Sequence, residues 1–213
     1  MLLIGVTGSI GMGKSTVAKM FTEYGFGLYN ADDTVHYIYQ NEEEEINKIE
    51  ESYPETKSNG KVNRIALRDI LNKEPEKFRD LEKIVHPATR RYQIVYIEKL
   101  ISEDSPGCIL DIPLLFETGG EKYIDVSVVV TASEDKQKER VVAERKVPLE
   151  IFNSIKNQQM PDREKLKKAD YIISTDQTLD ETKLEVKDVV SKIKLINPKA
   201  WNAFYKKLSL IHI

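Results

Sequence analysis

The chain has 213 residues, of which 40% are hydrophobic and 31% charged, and its 32 Lys and Arg against 35 Asp and Glu leave a net charge of −3. This composition supports a buried core, excludes full disorder, and lacks the basic excess of a dedicated nucleic-acid binder. One Cys and three scattered His exclude an internal disulfide and a closed zinc site, and no apolar run approaches the roughly 18 residues that a membrane span requires.

Length and the N-terminal residues lead to two further expectations. At about 150 residues per domain, the length corresponds to ~1.4 domains, which favours one domain over residues 1–213 with a sizeable insertion. Residues 1–6 lack the basic region of a signal peptide. We therefore expect a cytoplasmic protein with no membrane and no nucleic-acid partner, either a monomer or a small homo-oligomer.

Short apolar runs separated by helical patterns predict an α/β fold. The first run, Leu2–Thr7, ends in glycine-rich sequence and precedes an amphipathic helix over residues 15–24. The other predicted strands are Gly27–Asn30, residues 108–112, residues 124–131 and Tyr171–Ser174. Because helical patterns alternate with these strands, we predict a parallel five-stranded sheet flanked by helices on both faces.

The connection between the second and third strands is unusually long. Residues 33–107 make up about 75 residues, whereas a crossover needs only about a dozen. Helical patterns cover residues 41–52, residues 64–71 and a longer region after Pro75, with a turn at Asn59-Gly60 and a helix boundary indicated by His86-Pro87. We predict a helical subdomain inserted into the sheet; the alternative is an elaborate connection with no role in ligand binding.

Residues 8–15, Gly-Ser-Ile-Gly-Met-Gly-Lys-Ser, match the phosphate-loop (P-loop) pattern G-x-x-x-x-G-K-[ST] in full. The glycines let successive backbone N–H groups point at phosphate oxygens, and the following helix adds the positive end of its dipole. We expect Lys14 to bind the β- and γ-phosphates and the Ser15 hydroxyl to hold Mg²⁺. The residues predicted to bind a nucleoside triphosphate are Gly8, Gly11, Met12, Gly13, Lys14, Ser15 and Thr16.

Among P-loop proteins, a kinase for a small acceptor fits this chain best. The length excludes most motors and large ATPases, and the N-K-x-D element with which GTPases bind guanine does not occur. The expected ligands are therefore a nucleoside triphosphate and Mg²⁺.

Two carboxylates follow predicted strands at the edge of the sheet that the P-loop shares. Asp32 follows the second strand, where it could orient the acceptor hydroxyl and take its proton, or hold Mg²⁺ through water. Asp33, one residue away, is an alternative, and either of them could instead cap the next helix. Asp111 ends the third strand, where it is either the Walker B aspartate of a P-loop protein or a polar strand end.

Residues 133–145 form a charged helical pattern after the fourth strand. The pattern is typical of a solvated surface and equally of a lid in which Arg140 closes over the transferring phosphoryl group. At about 100° per residue, Arg140 and Arg145 would point roughly 140° apart, so both reach one phosphate only if the helix ends between them.

Two other features are expected to be structural. Cys108 lies in an apolar run and is expected to be a small core side chain rather than a nucleophile. Residues 197–207 contain the only tryptophan, Trp201, and are predicted to form a helix that packs on the body of the protein with its lysines in solvent.

Taken together, these motifs resemble those of dephospho-coenzyme A (dephospho-CoA) kinases from Ile4 to about Thr182. The P-loop is shared by many families, whereas Pro113-Leu114-Leu115-Phe116-Glu117 after a strand, with His86-Pro87 upstream, is far more particular. The other matching elements are residues 5–18, Asn30-Ala31-Asp32, residues 60–64 with Leu67, Gln137 with Arg140, Gln159, and Ala169-Asp170.

The resemblance implies ATP-dependent phosphorylation of the 3′-hydroxyl of dephospho-CoA, the last step of coenzyme A biosynthesis. It also implies a nucleotide-binding core (residues 1–32, 108–132 and 168–208), a helical substrate-binding insert (residues 33–107) and a lid (residues 133–167). Asp32 would be the acceptor-side carboxylate and Arg140 the lid arginine, so that Lys14, Asp32 and Arg140 are the expected catalytic residues. His86, Pro87 and Glu117 would lie on the acceptor side.

The chain departs from the family pattern at three positions. Asn30 stands where the family usually has Asp, Glu144 where a second lid arginine is common, and Thr175 where Asn is frequent after the last strand. Two alternatives stand beside the leading hypothesis. Another small-acceptor kinase, such as a nucleoside monophosphate kinase, is disfavoured by the long insert and residues 113–117, and a non-catalytic ATP-binding protein is disfavoured by the intact Lys14, Ser15 and Asp32.

Overall fold

A parallel sheet of five strands organises the fold in the computed structural model, which describes residues 1–205. The strands are β1 Leu2–Thr7, β2 Gly27–Asn30, β3 Lys57–Ser58, β4 Lys61–Val62, β5 Gly107–Asp111, β6 Val126–Thr131 and β7 Tyr171–Ser174. The sheet has the order β2-β5-β1-β6-β7, and β3 and β4 form a separate antiparallel hairpin. All five predicted strands of the sheet are confirmed, with small shifts at the ends of β5 and β6.

The α-helices connect these strands. They are α1 Lys14–Thr22, α2 Ala31–Asn41, α3 Glu43–Ser52, α4 Arg64–Lys73, α5 Phe78–Ser102, α6 Glu134–Lys138, α7 Leu149–Gln158, α8 Asp162–Lys168 and α9 Leu179–Ile193. None of the helices within residues 1–205 combines the length and the apolar character needed to cross a membrane.

The chain divides into two compact units. One contains residues 1–29 together with the described chain from residue 99 onward, and the other is Asn30–Glu98. Helix α5 begins in the second unit and ends in the first.

The first unit is built on a sheet that is buried on both faces. Side chains of β6 alternate, so that Val128 and Val130 join one cluster and Val129 another. The first cluster includes Val17 of α1 and Val186 of α9. In β1, which lies between β5 and β6, Val6 pairs with both Asp111 and Val128. This register places the end of β5 beside the start of the P-loop.

The second unit is mainly helical and has its own apolar core, formed by α2 to α5 and the β3–β4 hairpin. The predicted turn at Asn59-Gly60 is confirmed: both residues have positive φ, 50° and 73°, as a tight two-residue hairpin requires. The two short strands beside it were not predicted, since neither shows an alternating apolar pattern.

The helix boundary predicted at His86-Pro87 is wrong, because α5 runs through Pro87 without a break. Leu81, Val85 and Ala88 are buried at helical spacing on both sides of the proline, so packing offsets the hydrogen bond that proline cannot make. The Thr89 hydroxyl adds a hydrogen bond to the Val85 carbonyl oxygen at 2.9 Å.

The last described residues form a short π-helical turn, Trp201–Tyr205. The Trp201 and Tyr205 rings stack with their centroids 6.0 Å apart. The helix predicted over residues 197–207 is therefore represented by this turn, and its last two residues lie outside the described chain.

Candidate active site

The P-loop, residues 8–13, connects β1 to α1 in a conformation that needs its glycines. Gly11 and Gly13 have φ angles of 79° and 83°, which residues with a Cβ atom rarely adopt. A Cβ on Gly8 would lie 2.5 Å from the Val130 carbonyl oxygen. Gly13 caps α1 without a side-chain hydrogen bond, so the positive end of the α1 dipole faces the loop.

Lys14 and Asp111 form an ion pair beside this loop. Their side chains are only 14% and 8% exposed, so neither charge is well solvated and each needs a partner. Asp111 is the last residue of β5, and Ser15 exposes its hydroxyl in the first turn of α1. A carboxylate and a hydroxyl are the oxygen donors that Mg²⁺ takes in nucleotide sites. This placement favours the Walker B interpretation of Asp111 over a polar strand end.

Arg140 binds to Thr175 and to the P-loop. Its guanidinium donates to the Thr175 hydroxyl at 2.8 Å, to the Thr175 carbonyl at 2.6 Å and to the Gly11 carbonyl at 3.3 Å. The Thr175 hydroxyl donates in turn to the Met12 carbonyl oxygen at 2.9 Å. The threonine that departs from the family pattern therefore connects Arg140 to the loop, a contact that the sequence did not indicate.

The segment after α6 is not the continuous α-helix that was expected. Glu139–Glu144 is a π-helical turn, in which the Arg145 N–H donates to the Arg140 carbonyl oxygen at 3.2 Å. A hydrogen bond over five residues brings these residues onto one side of the turn. Arg140 and Arg145 both line one cavity of about 430 Å³. The expected separation of roughly 140° assumed α-helical geometry, which this segment does not have.

The cavity that these arginines line has the size of a small-ligand pocket. Gly13 and Thr16 bring the end of the P-loop and the start of α1 to its wall, which also carries the polar side chains of Lys136, Thr175 and Thr182 and the two carboxylates of Glu139 and Glu144. It therefore adjoins residues that were predicted to bind the phosphates.

Ser133, the residue before α6, is hydrogen-bonded to the loop after β7. The Asp176 carboxylate accepts hydrogen bonds from the Ser133 hydroxyl at 2.7 Å and from its N–H at 2.8 Å. These bonds, with a smaller contribution from the charge of Arg140, lower the pKa of Asp176. The carboxylate stays ionised and holds α6 at this side of the cavity.

Glu117 is bound within the first unit by residues of α8 and the segment before it. Its Oε1 accepts from the Met160 N–H at 2.7 Å and pairs with the Lys165 ammonium at 3.0 Å. Burial alone would raise the pKa of Glu117, but the hydrogen bonds from Met160 and Lys165 outweigh it and lower this pKa. Lys165 is fully buried. It was missed because a lysine in a polar helix carries no sequence signal of burial.

The remaining candidates of the second unit lie on α2 and α5. Asn30 caps α2 by accepting from the N–H groups of Asp32 at 2.9 Å and Asp33 at 3.4 Å. The alternative that either aspartate is the cap is therefore wrong, and both are exposed in the first turn. His86 is exposed on α5, with Nε2 3.8 Å from Glu82 Oε1.

Cys108 is confirmed as a core residue. It is completely buried on β5, and burial raises the pKa of its thiol to about 12. A thiol with such a pKa is not a nucleophile at neutral pH.

Comparison with known proteins gives a consistent result. The model of the dephospho-CoA kinase family matches residues 2–181. A dephospho-CoA kinase of Rhodopseudomonas palustris is 44% identical over 190 residues, covering 89% of this chain and 94% of that protein. One from Agrobacterium fabrum is 40% identical over 193 residues, covering 91% and 98%.

Solved structures agree. A crystal structure from Thermus thermophilus has a TM-score of 0.77 at 32% identity and covers 92% of this chain and 98% of its own. A dephospho-CoA kinase from Campylobacter jejuni has a TM-score of 0.66 at 28% identity and covers 90% and 96%. The P-loop kinase fold expected from the sequence is therefore confirmed.

Proposed function

Because this chain belongs to the dephospho-CoA kinase family, we propose that it transfers the γ-phosphoryl group of ATP to the 3′-hydroxyl of dephospho-CoA. The products are coenzyme A and ADP, and the reaction is the last step of coenzyme A biosynthesis. One observation carries the proposal: the family model matches residues 2–181, which include every predicted site residue. The Lys14–Asp111 ion pair beside the P-loop supports the proposal, because it places a cation and a carboxylate where phosphate and Mg²⁺ would bind.

The phosphate-binding part of the mechanism is proposed for the P-loop and α1. The N–H groups at the start of α1 would bind phosphate oxygens, and Lys14 would exchange its carboxylate partner for the β- and γ-phosphates. Ser15 and Asp111 would then be the residues that hold Mg²⁺, which neutralises phosphate charge when bound. Arg140 lines the cavity beside Gly13, which supports a role for its positive charge near the transferring group.

The acceptor part is proposed for Asp32. This carboxylate would accept the proton of the 3′-hydroxyl while the oxygen forms its bond to the γ-phosphorus and the bond to the β-phosphate oxygen breaks, releasing ADP. Its exposure in the first turn of α2 and the Asn30-Ala31-Asp32 element support this role. We also propose that residues 33–107 bind the acceptor and that residues 133–167 form the lid.

An acceptor panel tests the reaction. Purified protein with ATP and Mg²⁺ is incubated with dephospho-CoA, AMP or CMP, and ADP formation is followed. ADP should form fastest with dephospho-CoA, with phosphate appearing on the 3′-oxygen. Equal rates with a nucleoside monophosphate would favour a nucleoside monophosphate kinase, and ATP binding without turnover would favour a non-catalytic ATP-binding protein.

The neighbouring aspartates provide a matched test of the acceptor-side role. Asp32→Asn should lower kcat by about 10²-fold or more if the carboxylate takes the proton, whereas Asp33→Asn should leave kcat nearly unchanged. The reverse result would move the role to Asp33, and near-normal kcat for both variants would remove it from this pair.

A further inference from the structure

Two glutamines hold the P-loop at Ile10 and have no role in the mechanism above. Gln137 Nε2 donates to the Ile10 carbonyl oxygen at 2.6 Å, and the Ile10 N–H donates to Gln159 Oε1 at 3.0 Å. Gln137 is a buried residue of α6, and Gln159 directly follows α7. Both backbone polar atoms of one loop residue are therefore bound by side chains from residues 133–167.

The position of Gln159 is determined in turn by Glu117. The next residue, Met160, donates its N–H to Glu117 Oε1 at 2.7 Å, and Lys165 binds the same oxygen. The peptide group between Gln159 and Met160 is thus fixed by a buried ion pair. A chain of direct contacts runs from Glu117 through this peptide group to the Ile10 N–H.

A loop that contains two glycines with positive φ needs such support. Glycine-rich backbone has many accessible conformations, and only those that aim the N–H groups inward bind phosphate. When the fraction of competent protein falls, the apparent Kd rises in inverse proportion. A contact that fixes Ile10 raises that fraction without touching the nucleotide.

We propose that Gln137 and Gln159 are positioning residues that preform the P-loop for nucleotide, and that Glu117 sets the place of Gln159. This deepens the proposed function, on whose ATP site it rests. Residues 113–117, the family element that ends in Glu117, would then help to position the nucleotide-binding loop, in addition to any contact with the acceptor.

Replacing Gln159 by leucine gives a specific expectation. The Ile10 N–H, which is partly buried, loses its acceptor. The Kd for ATP should then rise about tenfold, an effect at the lower end of the range for an unsatisfied donor. Bound nucleotide imposes the loop geometry again, so kcat should change less than about twofold. A cavity of about 470 Å³ lined by Gln137, Gln159 and Ser9 leaves room for the leucine.

The neighbouring residue provides a matched control. Gln158 is the exposed last residue of α7, so Gln158→Leu makes the same chemical change without touching Ile10. Three measurements are made on wild type and both variants: ATP binding by calorimetry with Mg²⁺ and no acceptor, steady-state kinetics, and the melting temperature. Gln159→Leu should raise the Kd and the KM for ATP and leave kcat and the melting temperature nearly unchanged. Gln158→Leu should change neither ATP binding, nor the kinetic constants, nor the melting temperature.

Two results would overturn the inference. One is Gln159→Leu binding ATP as tightly as Gln158→Leu; the other is a parallel loss of kcat, ATP affinity and melting temperature, which indicates a merely structural role. Gln137→Leu repeats the test at the buried contact, and if it fails to fold, the Gln159 comparison decides. Because calorimetry needs no acceptor, an inactive wild type would contradict the proposed reaction while the binding comparison still decides this inference.

Discussion

Lys165→Met tests the energetic importance of the ion pair that anchors the segment between α7 and α8. The Lys165 ammonium is completely buried, lies 3.0 Å from Glu117 Oε1 and reaches the Pro113 carbonyl oxygen at 3.4 Å. The side chain of Glu117 is 17% exposed, and its second oxygen is buried without a hydrogen-bond partner among the described residues. Without the lysine, the carboxylate keeps backbone N–H donors such as Met160 but has lost its positively charged partner.

The magnitude follows from this burial. Removing one member of a buried ion pair costs about 3–5 kcal/mol, because the other charge stays desolvated. Methionine fills a volume similar to that of the lysine stem, so we add no cavity cost. For a chain of this size, about 2–4 °C of melting temperature is lost per kcal/mol, which gives a decrease of roughly 6–20 °C.

The assay is urea unfolding at pH 7 on three variants. In Lys165→Met the free energy of unfolding should fall by the full amount, about 3–5 kcal/mol. Lys167→Met removes an exposed lysine of the same helix that pairs with Glu164, and its free energy of unfolding should fall by less than about 1 kcal/mol. The double variant Glu117→Gln, Lys165→Met has no unpaired charge and should regain most of the stability. A loss below about 1 kcal/mol in Lys165→Met, or no recovery in the double variant, would refute the reasoning.

The pH dependence provides a second check. In the wild type the pKa of Glu117 is lowered, so its stabilising effect is complete above the ordinary pKa and is lost as the pH falls through the folded-state pKa. In Lys165→Met the pKa of Glu117 should rise, and protonation of its carboxylate at lower pH removes the cost of an unpaired buried charge. The difference in stability between wild type and Lys165→Met should therefore be largest near neutral pH and shrink on acidification.

Three further predictions concern the P-loop, the core thiol and the cavity. Gly11→Ala should abolish most ATP binding in calorimetry, because a Cβ there would lie 2.6 Å from Val141 Cγ2 at positive φ; Gly60→Ala, with similar φ but nothing within 4 Å, should keep it. Cys108, with a thiol pKa of about 12, should react with iodoacetamide at pH 8 only as urea unfolds the protein, and modification of the native protein would contradict its burial. Arg145→Ala should raise the Kd for ATP roughly three- to tenfold through loss of a cation beside the phosphate site, whereas Lys146→Ala should not; equal effects would exclude a specific role for Arg145.

The sheet and the P-loop were predictable because both are encoded locally. A run of mainly apolar residues such as Leu2–Thr7 indicates a buried strand by its composition, and the G-x-x-x-x-G-K-[ST] pattern indicates a backbone conformation by the glycines that it contains. Helix boundaries were less accurate, since packing overrides local preference: α5 continues through Pro87 because residues on both sides of the proline are buried together.

The site was predictable at the level of residue types but not of contacts. The sequence selected Lys14, Asp111 and Arg140, yet the partners of Arg140 and Glu117 lie far away in the chain. Thr175 is 35 residues from Arg140, and β6, α6 and α7 lie between Glu117 and Lys165. Contacts of this kind depend on how β7 and α8 pack against the loop, which no local pattern contains. Lys165 shows this most clearly, because a buried lysine and a solvated one look the same in sequence.

The π-helical turn at Glu139–Glu144 shows how one such difference changes which residues line a cavity. An α-helix places residues five apart on different sides, and hydrophobic periodicity cannot distinguish a single wider turn within so short a charged segment. The Arg145 N–H bond to the Arg140 carbonyl makes that turn. As a result, the arginine that is displaced by one residue from the family pattern lines the same cavity as Arg140. The wider turn thus leaves Arg145 on the wall of this cavity, although Glu144, which occupies the family's arginine position, lines it as well.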